Sequence, residues 1–174
     1  MPVVSGPIMQ NGFVVRDLER AVDHWTKKLG VGPFYLLEHV QFDELLFRGG
    51  PSPVDMTGAL AYWGDLQIEL ILQHNDAPST YREFLDRGLQ GLHHMGMITQ
   101  DIEGDLARFR AAGFSPVQQG QVAPRGARFA YLDCEVHPGG ILELIEAAPD
   151  LMGAFATIHA ASRDWDGRDP IRRL

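Results

Sequence analysis

Two stretches of the chain repeat one pattern of apolar and polar positions. Gln10-Asn11-Gly12-Phe13-Val14-Val15-Arg16-Asp17-Leu18-Glu19 aligns with His94-Met95-Gly96-Met97-Ile98-Thr99-Gln100-Asp101-Ile102-Glu103 at an offset of 84 residues, from 10 to 94. Gly, Asp and Glu coincide at 12/96, 17/101 and 19/103, and apolar meets apolar at 13/97, 14/98, 18/102, 22/106 and 25/109. Each stretch reads as a strand running into a helix. Asp17 and Asp101 are N-cap residues, whose carboxylates accept a free N–H of the first turn. Helical stripes follow at Leu18, Ala21, Val22, Trp25 and Leu29, and at Ile102, Leu106 and Phe109. Gly30 and Gly113 end them. Strand-type runs come next, about 34–40, 57–62 and 67–72 in the first half, with 45–47 as an extra, and about 117–122, 127–132 and 141–145 in the second. Gly-Gly-Pro at 49–51 and Pro-Gly-Gly at 138–140 are among the turns between them. The pattern predicts an α+β fold of two βαβββ modules, 8–73 and 92–147. A linker helix within 74–91, over about 79–87, joins them. The remainder, 148–174, is predicted as a helix over about 151–162 capped by Asp150, then an irregular tail.

Polar residues inside these strands break the pattern. Gln10 and His94 open the first strand of each half, while Glu69 (in Ile68-Glu69-Leu70) and Glu143 (in Leu142-Glu143-Leu144) lie in the last. A buried carboxylate needs a cation, a metal or several donors. Alternation puts Gln10, Gly12 and Val14 on one face and His94, Gly96 and Ile98 on the matching face. If the halves meet about a pseudo-twofold axis, the four side chains converge. One imidazole nitrogen, one amide oxygen and two carboxylates then make a site for a divalent ion, Ni²⁺, Co²⁺, Mn²⁺, Fe²⁺ or Zn²⁺, with positions left for water or substrate. The plainer alternatives are a solvent-facing Glu69 beside Gln67 and a structural His94. His93 is expected on the opposite face. His24, His39, His74 and His159 have no such context, and His137 lies in a loop that could reach the mouth of a site. Arg125 and Arg128 flank a turn and could meet an anionic substrate, although a solvated loop is the simpler reading.

Composition narrows the partners. The 174 residues carry 15 Lys and Arg against 23 Asp and Glu, a formal charge of −8, which disfavours nucleic-acid backbone and anionic membranes. A single cysteine, Cys134, excludes an internal disulfide framework and reads as a small buried residue. No apolar run approaches the roughly 18–20 residues of a bilayer span, and the first residues show no signal-peptide pattern. The expectation is a cytoplasmic protein that meets small molecules and other copies of itself, as a homodimer.

The motifs Gln10-x-Gly12-x-Val14-x-x-Asp17-Leu18-x-x-Ala21, Ile68-Glu69-Leu70, Leu92-His93-His94-Met95-Gly96 and Pro138-Gly139-Gly140-Ile141-Leu142-Glu143-Leu144 together resemble the vicinal oxygen chelate superfamily. That group includes glyoxalase I, methylmalonyl-CoA epimerase, extradiol dioxygenases, fosfomycin-modifying enzymes and bleomycin-binding proteins. The resemblance implies paired modules curled into a cup-like mixed sheet around a metal held by Gln10, Glu69, His94 and Glu143, with Glu143 as the base. It implies a metal-dependent lyase or isomerase acting on a small carbonyl, hydroxy-acid or thioester substrate through an enediolate or enolate. The alternative is a sequestering, resistance-type protein of the same fold. Gln10 in the place of a histidine weighs against extradiol chemistry. Val14 stands where glyoxalase I has its glutathione-gripping arginine. The strand Thr57-Gly58-Ala59-Leu60-Ala61-Tyr62-Trp63 lacks the epimerase's second glutamate, which Glu38, Asp43 or Glu44 would have to replace. Substrate-binding residues are not assigned at this level.

Overall fold

The computed structural model describes residues 6–133 and 136–174. The expectations for Cys134 and for the first five residues fall outside the described residues. The described strands are β1 (Gln10–Val14), β2 (Phe34–Leu37), β3 (Phe42–Phe47), β4 (Gly50–Pro51), β5 (Met56–Trp63), β6 (Leu66–Gln73), β7 (Gly91–Thr99), β8 (Pro116–Val122), β9 (Arg128–Leu132), β10 (Ile141–Glu146) and β11 (Ile171–Arg173). They form one curved mixed sheet in the order β11-β2-β5-β6-β1-β7-β10-β9-β8-β3-β4. The two halves meet where β1 and β7 pair antiparallel, and each of these strands runs parallel to the last long strand of its own half, β1 with β6 and β7 with β10.

Each half carries its own helix against the outer face of its strands. Helix α1 (Leu18–Asp23) continues as a π-helical stretch over His24–Lys28, and α3 spans Ile102–Ala111. Asp17 caps the first by accepting the Arg20 N–H, and Asp101 caps the second by accepting the Gly104 N–H, both at 2.9 Å. Gly104, which interrupts the α3 stripe, has a packing reason: a β-carbon there would fall into the Asp101 carboxylate. Val22 packs with Val31, Phe34, Ile68 and Leu70, while Ile102, Leu106 and Phe109 pack with Met97, Leu132 and Leu144. Helix α2 (Thr80–Asp86), capped by Ser79, buries Tyr81, Phe84 and Leu85 at the join of the halves.

The predicted elements shift in four places. The first helix is α-helical only to Asp23 and closes in a π-turn, for which the sequence carries no signal. The extra run at 45–47 lies within β3, which pairs on one side with the two-residue β4 that follows it and on the other with β8 of the second half. The last helix, α4 (Pro149–Ser162), begins two residues before Leu151, with Pro149 in its first turn and no side-chain cap from Asp150. The tail is not irregular throughout: β11 adds in parallel to β2, and Trp165 packs so closely over Gly32 that a β-carbon there would come within 2.8 Å of the indole. No helix among the described residues is long and apolar enough to cross a membrane.

Helix α4 lies across β5, and Phe155 and Ile158 pack with Tyr35, Leu60 and Tyr62. The completely buried Ile158 is therefore an anchor of this helix. We expect Ile158→Ala to cost about 2–5 kcal/mol through lost transfer energy and an unfilled cavity. A denaturant midpoint that corresponds to less than the lower end of that range would show that α4 is not clamped by this residue.

Candidate metal centre

The four polar residues sit on four neighbouring strands, β6, β1, β7 and β10. In one cross-strand row Glu69, Gly12 and His94 stand side by side; in the next, Gln10, Gly96 and Glu143 do. Each repeated glycine therefore makes room for the polar residue of the other half, not of its own. A β-carbon on Gly12 would overlap the His94 imidazole, and one on Gly96 would come within 2.6 Å of the Gln10 amide oxygen. The side chains converge as a result. Nε2 of His94 lies 3.3 Å from a carboxylate oxygen of Glu69 and 3.3 Å from one of Glu143. Gln10, His94 and Glu143 are buried, at 3%, 0% and 6% exposure, and Glu69 is only partly covered, facing the same cavity.

Three buried atoms here lack any aligned hydrogen bond: Gln10 Oε1, His94 Nε2 and Glu143 Oε2. Orphaned buried acceptors are rare, because each carries a desolvation cost. One ligand atom each of Glu69, His94 and Glu143 lies within 4.8 Å of the others, a set that fits a divalent cation, and Gln10 lines the same cavity with its amide oxygen unpartnered. In the metal-free protein a proton takes over part of that role. Burial alone would lower the His94 pKa, but the Glu143 and Glu69 carboxylates outweigh it and push the imidazole up to about 9. Burial raises the Glu143 carboxyl above its ordinary value, partly offset by His94.

Supporting groups hold the donors in place. Gln67 accepts from the Gln10 amide at 2.7 Å and donates to the Tyr62 hydroxyl at 3.1 Å, which turns the Gln10 oxygen inward. His93 departs from its expected place on the opposite face. The β1–β7 register pairs Gly12 with His94 but Phe13 with Leu92, so His93 is the extra residue of a β-bulge. The bulge breaks the alternation and brings Nδ1 of His93 to 3.0 Å from Nδ1 of His94. Burial, reinforced by the neighbouring His94, lowers the His93 pKa to about 3. A neutral His93 can accept the Nδ1–H of His94 and leave Nε2 of His94 free to coordinate. Tyr131 stands with its ring 4.9 Å from that of His94, and its hydroxyl pairs with Tyr81 at 2.9 Å. Tyr131 lines the same cavity as Glu143. Burial, with Glu143 as the next cause, keeps both tyrosines protonated far above their usual range. Sequence reasoning passed over Gln67, Tyr81 and Tyr131, although alternation from Phe129 does place Tyr131 on the inner face.

Other expectations resolve differently. Glu38, Asp43 and Glu44 do not line the cavity: Glu38 pairs with Arg173, and Asp43 accepts from the Arg125 backbone. Arg128 lies on β9 at the cavity wall instead of in a solvated loop, and Glu146 and Glu103 engage it. His137 is exposed and away from the cavity.

Residues 9–131 match the family model of the Glyoxalase/Bleomycin resistance protein/Dioxygenase superfamily. The chain belongs to this superfamily. Among solved structures, a hypothetical protein from Bacillus halodurans superposes with a TM-score of 0.59 at 20% identity, covering 82% of this chain and 95% of that one. Methylmalonyl-CoA epimerase from Mycobacterium tuberculosis gives 0.56 at 21% identity, covering 87% and 93%. The Streptomyces coelicolor epimerase, as its S115T variant with 2-nitronate-propionyl-CoA, gives 0.52 at 19%, covering 84% and 97%. These likenesses establish the vicinal oxygen chelate fold. No curated protein matches the sequence.

Two outcomes test the centre. Gly12→Ala should displace His94 and cost about 1–3 kcal/mol as an overpacked site, with loss of metal binding. Gly96→Ala comes no nearer than 2.6 Å to Gln10, against an outright overlap with the His94 ring at Gly12, and should be milder. Equal metal stoichiometry in Gly12→Ala and wild type would contradict this packing. A cation must also expel the His94 proton. Its apparent affinity should therefore rise with pH by about tenfold per unit up to about 9 and level off above, with proton release on binding. Calorimetry in buffers of different ionisation enthalpy checks it; no proton release near neutral pH would remove His94 from the ligand set.

Proposed function

We propose that the protein is a metal-dependent isomerase or lyase that moves a proton at a carbon between or beside two substrate oxygens. The observation that carries this reading is a pair of carboxylates, Glu69 and Glu143, each 3.3 Å from one buried imidazole at the polar floor of an otherwise apolar cavity. A divalent ion held by Gln10, Glu69, His94 and Glu143 would draw negative charge onto the two oxygens and so acidify the carbon between them. Glu143 takes the proton. Its carboxylate is buried and its pKa raised, which makes it a stronger base than a surface glutamate. Tyr131, held by Tyr81 and lining the same cavity, is a neutral neighbour to that carboxylate.

The cavity, about 110 Å³, is walled by Leu37, Val40, Phe42, Leu60, Phe129 and Phe155 among others. Such walls exclude water and suit a substrate with a short apolar or aromatic tail behind its oxygens. The similar epimerases include one solved with a CoA ester, which makes a thioester head a reasonable member of the substrate class. A CoA arm would gain from a free cation at the mouth, yet Arg128, the arginine in the wall, is already engaged by Glu146 and Glu103. The reading therefore favours a small oxo- or hydroxy-acid or 2-oxo aldehyde over a long CoA ester.

Glu143→Gln keeps the size and one oxygen donor but cannot accept a proton. It should slow exchange of a substrate α-proton with solvent by about 10²–10⁴ while retaining metal. NMR in D₂O of 2-oxo aldehydes, 2-hydroxy acids and acyl thioesters with both proteins tests this. Equal exchange rates would remove Glu143 as the base. Binding of such compounds without any exchange would favour the sequestering alternative instead.

A further inference from the structure

A second cluster of donors lies on the rim of the sheet, apart from the central one. His39 follows β2, Asp55 precedes β5 and His74 follows β6, so three chain segments each bring one side chain. One nitrogen of each imidazole and one carboxylate oxygen all lie within 4.8 Å of one another. The rings of His39 and His74 stack at 4.7 Å between centroids, tilted by 29°, and Nδ1 of His39 is 2.7 Å from Asp55. Neutral imidazoles gain little from such stacking in water, whereas two imidazoles and a carboxylate form a donor set for a first-row transition ion.

The backbone, not chance loop geometry, sets this arrangement. The β5–β6 ladder pairs Met56 with Gln73, and its next rung is the 2.8 Å hydrogen bond from the His74 N–H to the Asp55 carbonyl. Val40 N–H donates to the Met56 carbonyl at 2.9 Å, which fixes the turn that carries His39. His39 itself adopts φ 48°, a region that side chains with a β-carbon visit sparsely. An orienting layer surrounds the three. The Thr57 hydroxyl lies 2.8 Å from Nε2 of His74 and accepts from the His39 N–H, Asn75 accepts from the Asp55 N–H, and Gln41 donates to the His39 carbonyl. Such partners hold ligating residues in register in metal sites generally.

We propose that His39, Asp55 and His74 bind a second divalent transition ion, Zn²⁺ or a neighbour in the series, as a clamp across the ends of β2, β5 and β6. Val40 and Met56, next to two of the ligands, line the central cavity, so the clamp stiffens one wall of it. This site stands independently of the function proposed for the centre.

The test is a Zn²⁺ titration of metal-free protein carrying ¹⁵N-labelled histidine, read at the ring nitrogens. Those of His39 and His74 should move together to coordinated values, in a step separate from His94. Asp55→Asn should weaken that step by at least the roughly 10–100-fold that loss of a supporting group costs, leaving the His94 step intact. His39→Gly, which suits the left-handed backbone, should abolish it without unfolding the chain. Ring nitrogens of His39 and His74 that stay unmoved under excess Zn²⁺, or that shift equally in Asp55→Asn, would overturn the proposal.

Discussion

Two carboxylates and an imidazole share the middle of a sheet, where bare charge is costly, and most of the surrounding structure answers to that constraint. In the metal-free chain His94 keeps its proton up to about 9, because the adjacent negative charge outweighs the cost of burying a cation. Burial first, and the neighbouring Glu143 next, hold Tyr81 and Tyr131 protonated, as donors instead of further anions. On the proposed reading a divalent ion would compete with the His94 proton for the same point.

Geometry follows from the same demand. Side chains from neighbouring strands can turn toward one another here only if the residues across the ladder are small, and Gly12 beside His94 and Gly96 beside Gln10 are those residues. The glycines are exchanged between halves: the first half's glycine admits the second half's histidine, and the reverse holds for Gln10. Each module alone supplies two donors and one recess, so the site exists only where β1 and β7 are paired. The bulge at His93 adds a third element, since it turns an imidazole that alternation would send away back toward His94. The antiparallel seam thus positions donors, space and tautomer together.

Much of this was legible in the chain because the duplication supplies an internal comparison. The strand-to-helix units, their Asp caps and the four polar positions stand out once residues 10–19 are laid over 94–103. What escaped depends on interactions between distant segments. Pairing of β3 with β8 crosses from one half to the other, and nothing local in Phe42–Phe47 says which edge it will join. The bulge arises from the register of two strands, not from the composition of either. Gln67 looked like a sign of a solvent-facing strand, yet it is fully buried because Gln10 and Tyr62 satisfy its amide. The tail looked irregular for want of a periodic stripe, but a three-residue strand needs only an open edge, which β2 offers.

The fold and the chemistry separate at the cavity wall. At about 20% identity the epimerase structures share the curved sheet, and a sheet of this kind can carry many reactions. The chain's particular features lie above the donors. Leu151 and Phe155 of α4 close one side of the cup, and Phe129 faces them from the second half. Burial by these side chains weakens the screening of Glu143, which on the proposed reading strengthens both its pull on a cation and its basicity. An apolar wall does not carry a long anionic arm unless cations meet it, and the arginine in this wall answers to two glutamates of its own half. For the proposed substrates, discrimination would then rest on tail size and shape in the cup, where each methylene that fits or clashes changes affinity by about 1–3 kcal/mol. On the proposed function, the polar floor would set which atoms react, and the apolar wall which molecules bring them there.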